Sequence, residues 1–260
     1  MPEGHTIHRA ARDHRKVLAG QVLGVSSPQG RFAEGAKRID GLLCTGVEAY
    51  GKHLIYHFEQ GLSLHIHLGL FGKLRKSKLP LSEPKGAVRV RLVGPGHVID
   101  INGPNTCEVL DEPELLTLTA RIGPDVLRAD ADRDRAYHRI SKSKAPIGRL
   151  IMDQSVMAGI GNIYRTEILW RLAIHPFTPG RELNRGDFDR LWEDAVALLE
   201  IGVWRNSIIT TELVPKGRGR LTERVNIFGK KVCPKCKGNV ECREIANRKV
   251  YLCEACQPAV

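Results

Sequence analysis

Along the first eighteen residues, apolar side chains return every three or four positions. Ile7, Ala10, Ala11, His14, Val17 and Leu18 fall on one stripe, which predicts a helix from residue 3 to about 18, closed by Gly20. Arg9, Arg12, Arg15 and Lys16 take the other side, as a solvated face or an edge turned to a polyanion. The period then changes. From about 21 to 122 the chain breaks into short β-rich runs at 21–26, 41–50, 53–59, 63–68, 87–93 and 97–101. Glycine and proline punctuate them, as in Gly94-Pro95-Gly96. Many short strands cut in this way predict a β-sandwich or barrel. Residues 112–121 read as a short helix. The stretch 123–136 joins Gly-Pro to small residues and dense charge, and is the best linker candidate. Helical spacing returns at 136–141, 147–154, 163–172 and 187–203. The last of these places Phe188, Leu191, Trp192, Ala195, Leu198 and Leu199 on one stripe. A basic, glycine-containing segment (216–220, with Arg224) has few apolar anchors and is expected to be mobile. A small module bracketed by cysteines closes the chain.

Composition narrows the partner. The 260 residues are 42% hydrophobic, and 40 Lys plus Arg face 29 Asp plus Glu, for a formal net charge of +11. That excess points to nucleic acid, although a basic surface can also serve only solubility. No apolar run approaches the ~20 residues of a membrane span, and the opening is polar and charged rather than a signal peptide. A cytosolic or nucleoid-associated protein is expected.

Four of the seven cysteines form two Cys-x-x-Cys pairs, Cys233/Cys236 and Cys253/Cys256, separated by sixteen residues. Two such pairs can converge on one tetrahedral zinc, and this is zinc-ribbon spacing. Cys44, Cys107 and Cys242 are scattered and read as ordinary small residues. Between the pairs, Arg243, Asn247, Arg248 and Lys249 make a basic hairpin tip suited to phosphate. Upstream, Ala158-Gly-Ile-Gly-Asn162 separates two helical runs, and Asn162 is placed to cap the second. The N–H groups that start such a helix suit an anion; an ordinary helix–helix turn would look the same. At the N-terminus, removal of Met1 would leave Pro2 with a free secondary amine. That amine can form an iminium, with Glu3 beside it as acid or base. Pro and Glu also simply begin helices well. His65 and His67 share a strand face, but no third ligand accompanies them, so a metal pair is rejected.

Taken together, these residues resemble the formamidopyrimidine-DNA glycosylase/endonuclease VIII family of base-excision-repair enzymes. The likeness runs the length of the chain and in order. It comprises Pro2-Glu3-Gly4, Gly51-Lys52-His53-Leu54 on a strand, His67-Leu68-Gly69-Leu70-Phe71-Gly72, Asp153 with Gly161-Asn162-Ile163-Tyr164, Asn247-Arg248 and the four cysteines. The opening looks most like the actinobacterial endonuclease VIII-like branch.

The resemblance implies an α+β fold: an N-terminal helix on a β-sandwich, hinged to a helical domain with a helix–two-turn–helix and a C-terminal zinc-ribbon finger. The expected boundaries are 1–123, a linker at 124–136, then 137–228 and 229–260. It also implies a bifunctional glycosylase/lyase, in which Pro2 is the nucleophile and Glu3 the proton donor. Lys52 would join them as a catalytic residue, binding a phosphate near the lesion and helping to stabilise charge; His67, Asn162 and Arg248 would contact DNA phosphates, while Leu70 and Phe71 fill the gap in the base stack. One structural zinc and a monomer are expected. The family's Asp-Pro-Arg-Phe wedge is replaced here by Asp100-Ile-Asn-Gly-Pro-Asn-Thr-Cys107, and 213–231 lacks a clear lesion-capping loop. Oxidised pyrimidines and abasic sites are therefore expected rather than oxidised guanine, with single-stranded or bubble DNA also plausible. A catalytically silent damage sensor of the same fold, or a zinc-ribbon regulator, would share the charge and the finger but have no use for Pro2-Glu3.

Overall fold

The computed structural model describes residues 2–80, 82–212 and 219–259. Two compact units divide the chain, Met1–Arg121 and Ile122–Val260.

The first unit begins with α1 (Gly4–Leu18), for which Glu3 is the N-cap. Ile7, Ala10, Ala11, His14 and Leu18 are buried, as the periodicity predicts. The helix packs on β3 (Leu43–Tyr50) and β4 (His53–Phe58), and the Arg15 guanidinium donates to Val47 O at 2.6 Å. These strands belong to a five-stranded antiparallel sheet ordered β1-β3-β4-β5-β9, in which β1 is Gln21–Val22, β5 is Ser63–His67 and β9 is Thr106–Leu110. A four-stranded antiparallel sheet runs β2-β7-β8-β6, comprising β2 (Gly24–Ser26), β7 (Val88–Val93), β8 (His97–Asn102) and β6 (Lys73–Lys78). One core joins them: Val47, Leu54, Tyr56, Leu64 and Ile66 from one sheet with Val90, Leu92, Ile99 and Ile101 from the other. The sequence pattern missed three elements. These are α2 (Ala33–Ile39), β6 and β9. Strand β6 reads Lys-Leu-Arg-Lys-Ser-Lys, almost wholly exposed, so it carries no burial signal and is held by its ladder to β8. Inside the second sheet, Arg91 and Asp100 form a buried bidentate pair (2.7 and 2.8 Å). Asp100 is thus tied into strand β8. Helix α3 (Glu112–Arg121) ends the unit with no buried residue.

The second unit is helical. It contains α4 (Arg133–Ser141), α5 (Ile147–Leu150), α6 (Asn162–Arg171), α7 (Arg185–Arg205) and α8 (Leu221–Arg224). The long α7 buries the predicted stripe and is capped by Asn184, whose side chain accepts from Asp187 N. The expected linker is not a loose connection. Val126 joins the helical core, Asp125 bridges to Ala158, and Asp132 caps α4, which buries Ala136. Its charges are consumed as caps and ion pairs, so dense charge here marks helix ends rather than a tether. The helix expected at 147–154 stops at Leu150, because Asp153 instead accepts from Ser155 N and Ser155 Oγ and turns the chain. A hairpin of β10 (Glu241–Ile245) and β11 (Arg248–Leu252) closes the unit. Of the basic segment expected to be mobile, 216–218 lie outside the described residues, whereas Arg220 is the N-cap of α8 and Arg224 lies within it, donating to Gly219 O at 3.1 Å.

Candidate active site and nucleic-acid interface

In the first unit, Pro2 is half-buried at the head of α1 and Glu3 has no exposed surface at all. The Glu3 carbonyl accepts from Thr6 N at 2.9 Å, which fixes the first turn. Lys52 lies on the two-residue turn between β3 and β4 rather than on the strand itself. Tyr50 pairs with His53, and Gly51 takes φ +59°, which a tight hairpin of this length demands. Helix α1 packs across the two strands that this turn joins, so a single substructure carries the N-terminus and the lysine.

His67 ends β5, opposite His53. The chain then turns through Gly69 and Gly72. A Cβ on Gly72 would come within 2.4 Å of Leu68 O, and one on Gly69, at φ +64°, would strike the Asn105 side chain. This loop presents Leu70, 44% exposed, and Phe71, 84% exposed. Phe71 is the most exposed of the large apolar side chains described, which excludes a core role for it.

The His53, His65 and His67 rings cluster, with centroids 5.0 Å apart for each pair that includes His53. Burial, aided by the neighbouring histidines and the Lys52 and Arg121 charges, pulls His53 down to about 3. Burial likewise lowers His65 and His67.

In the second unit, Gly161 rather than Asn162 occupies the N-cap of α6. Asn162 is the first helical residue, and its side chain is engaged elsewhere. Its Nδ2 donates to Lys249 O at 3.1 Å, and its Oδ1 accepts from Arg165. Arg165 is fully buried and also donates to Lys249 O (3.0 Å) and Gly148 O (3.2 Å). Because a guanidinium only donates, it must face the amide oxygen, and this fixes which way the Asn162 amide points. The same contacts join α6 to β11, where Arg248 is exposed. Sequence reading missed Arg165, since it falls within a helical run and nothing local marks its contact with residue 249. It also misplaced Arg243. That side chain lies inside β10, tied to Glu241 (2.8 Å) and Glu254 (2.5 Å), so the hairpin tip is Ala246-Asn247 followed by Arg248 and Lys249.

The sulfurs of Cys233, Cys236, Cys253 and Cys256 lie within 4.8 Å of one another, with Cys233–Cys256 at 3.8 Å and Cys236–Cys253 at 3.4 Å. Four thiolates at ~2.3 Å from a tetrahedral zinc would be separated by much this distance. Among the described residues this is the only cluster of three or more His, Cys, Asp or Glu dimensioned for a metal. The donor set also fits a cation electrostatically. Burial raises the Cys233 thiol, but the N–H groups of Cys236 and Lys235 and the Trp170 indole outweigh it, bringing it to about 6. Burial and the adjacent thiols push Cys256 up to about 12. Four thiolates therefore need a divalent ion between them.

Comparison with known proteins agrees with this architecture. Residues 1–106 match the formamidopyrimidine-DNA glycosylase N-terminal domain, and 122–213 match the formamidopyrimidine-DNA glycosylase H2TH domain. Endonuclease 8 1 of Mycobacterium tuberculosis H37Rv is 41% identical over 271 residues, covering 99% of this chain and 100% of that protein. Endonuclease 8 of Salmonella typhi is 30% identical, with 99% and 100% covered. A crystal structure of Lactococcus lactis formamidopyrimidine-DNA glycosylase, non-covalently bound to DNA containing an abasic site, superposes with a TM-score of 0.81. It is 22% identical and covers 99% and 100% of the two chains. Fold and finger together define a helix–two-turn–helix DNA-repair protein. More particularly, the chain belongs to the formamidopyrimidine-DNA glycosylase/endonuclease VIII family, whose members are DNA glycosylases with abasic-site lyase activity.

Proposed function

We propose that this protein excises oxidised bases, pyrimidines foremost, through an imine on Pro2 and then opens the strand by β- and δ-elimination. The observation that carries the reading is Glu3, a carboxyl group with no exposed surface directly beside Pro2 at the positive end of α1.

With Met1 removed, the Pro2 nitrogen attacks C1′ of the damaged nucleotide and displaces the base. Glu3 protonates the ring oxygen, the sugar opens, and an iminium links Pro2 to C1′. The iminium acidifies the C2′ proton. Loss of that proton expels the 3′ phosphate, and a second elimination expels the 5′ phosphate, leaving a gap. Only a neutral amine attacks. A free α-amine titrates near pH ~7.7–8.0, and the α1 dipole disfavours its ammonium form.

A base in a duplex lies out of reach, so the nucleotide must be flipped. Asn162 and Arg248 hold the phosphates on either side of it, Lys52 binds a phosphate near the lesion and helps to stabilise charge, His67 adds a phosphate contact, and Leu70 and Phe71 enter the vacated stack. In this scheme 1–123 carries the chemistry, 137–228 grips DNA, and 229–260 supplies the basic tip. Cys233, Cys236, Cys253 and Cys256 hold one zinc, whose part is structural. Absence of the Arg-Phe wedge at 100–107 supports pyrimidine lesions over oxidised guanine. The protein would act as a monomer on DNA in the bacterial cytoplasm.

Borohydride trapping on a duplex with one abasic site tests the amine. A covalent complex should form with the Met1-processed protein and vanish when an N-terminal extension blocks Pro2. A complex that survived the block would exclude Pro2 as nucleophile.

A further inference from the structure

Strand β6 carries four cations in six residues, Lys73, Arg75, Lys76 and Lys78, and no acid. It is the edge of its sheet, where lysines keep an exposed strand from pairing with another chain. Edge protection does not dictate which way the cations point, but the register does. Ile99 and Ile101 of β8 face the core, so Asp100 and Asn102, which alternate with them, face outward. Arg75 lies opposite Asp100 and Lys73 opposite Asn102, which turns both cations to the same outer face. The connection from β6 to β7 adds a third. Lys85 O accepts from Asn102 Nδ2 at 2.9 Å and from Arg75 Nη1 at 3.4 Å, and Ser82 O accepts from Arg91 Nη1 at 2.8 Å. These bonds hold the segment that carries the exposed Lys85 against that face.

The charge there is not neutralised from within. Asp100 is the one carboxylate in β6, β7 and β8, and Arg91 takes both of its oxygens, at 2.7 and 2.8 Å. Among the described residues no carboxylate lies within ion-pair distance of Lys73, Arg75 or Lys85. The strand also starts where the Phe71 turn ends. Two residues of chain span at most ~7 Å, so the Lys73 backbone stands within about two base-pair rises of the Phe71 backbone. We propose that Lys73, Arg75 and Lys85 bind phosphates of the duplex beside the lesion, as a contact surface additional to Lys52, His67, Asn162 and Arg248. Its placement rests on the insertion proposed for Phe71: DNA entered by that ring carries its backbone past Lys73. Three cations on one face hold that backbone without reading its bases.

The salt dependence of binding counts such contacts. The double variant Lys73→Gln with Lys85→Gln spares Arg75, which helps to hold residue 85. Both substituted side chains are exposed, so neither supports the core. Its affinity for a duplex with a tetrahydrofuran abasic analogue should be lower at low salt and fall less steeply as salt rises, the slope of log K against log salt dropping by about 1.8 for two contacts. Lys37→Gln removes a charge from the exposed Lys37–Glu34 pair on α2 and should leave the slope unchanged. An unchanged slope in the double variant, or an equal drop per charge in Lys37→Gln, overturns the surface. Failure of the insertion reading shows differently: Phe71→Ala would bind the analogue as tightly as the wild type, and the placement beside the lesion would go with it. A weakened Phe71→Ala beside an unchanged slope in the double variant removes the surface alone.

Discussion

The Asn162 amide is oriented by its neighbours in a way that suits the phosphate contact proposed for it. Its two ends are sterically alike, and the buried guanidinium of Arg165 distinguishes them by occupying the oxygen. Nδ2 donates one hydrogen to Lys249 O, which leaves its second for the proposed phosphate. Asn162→Asp separates the two roles. The carboxylate keeps the Arg165 contact as an ion pair but loses the hydrogen bond to Lys249 O, so thermal stability should fall by no more than a few degrees. The donor is lost and a negative charge faces the phosphate, so affinity for a duplex with a tetrahydrofuran abasic analogue should drop about tenfold or more. Equal affinity in the two proteins would remove Asn162 from the phosphate contacts. At this scale the sequence was partly legible. Pro2-Glu3, Lys52 and Asn162 stand out as candidates because they are chemically unusual where they stand. Arg165 does not, because its meaning lies in a contact 84 residues distant.

Among the elements, the terminal hairpin is the one least able to hold itself. Its strands bury only Ile245, Val250 and Leu252 among the described residues, beside a small cluster of Ile227, Cys233 and Cys253, and Ala246 and Asn247 at its tip adopt left-handed φ of 52° and 58°. So small a core would depend on the zinc proposed for the four cysteines. Chelation should abolish amide hydrogen-exchange protection in β10 and β11, leave α7 protected, and weaken DNA binding, with recovery on adding zinc. Retained protection in β10 after complete metal removal would contradict this. The link from the helical core to the hairpin is separate. The buried Glu167 carboxylate accepts from Asn226 N, Ile227 N and Phe228 N at 2.6–2.8 Å and from Thr210 Oγ1 at 2.5 Å. Hydrophobic period revealed α1 and α7 because one face of each is buried. It was silent on β6, in which only Leu74 is partly buried, and it read the capping charges of 124–136 as a tether.

For the molecule as a whole, the buried histidines predict an acid weakness located in one unit. Burial holds His5 and His14 down to about 4 and His53 to about 3, from 6.5. His14 is further committed as a neutral ring, 2.7 Å from the buried Tyr56 hydroxyl. Between pH 4 and 6.5 the unfolded chain binds protons that the folded chain refuses, so stability rises with pH through this window and is lost as pH falls below 6.5. All three residues belong to Met1–Arg121. Scanning calorimetry should therefore show the melting of that unit shifting down between pH 7.5 and 5 while the helical unit moves less. Equal shifts would locate the titration elsewhere. The two-unit plan was legible from the change of period and the cysteine spacing, whereas this asymmetry appears only once burial is known.

If Phe71 enters the base stack as proposed, its exposure has a consequence for search. The ring already projects 84% exposed beside a turn in which neither Gly69 nor Gly72 has room for a Cβ. It would meet a base step without first leaving a core, and the cost of each test would be set chiefly by the DNA. Poorly stacked steps would yield first, so such a side chain would sort damaged from sound DNA by mechanical compliance before any base reached the chemistry.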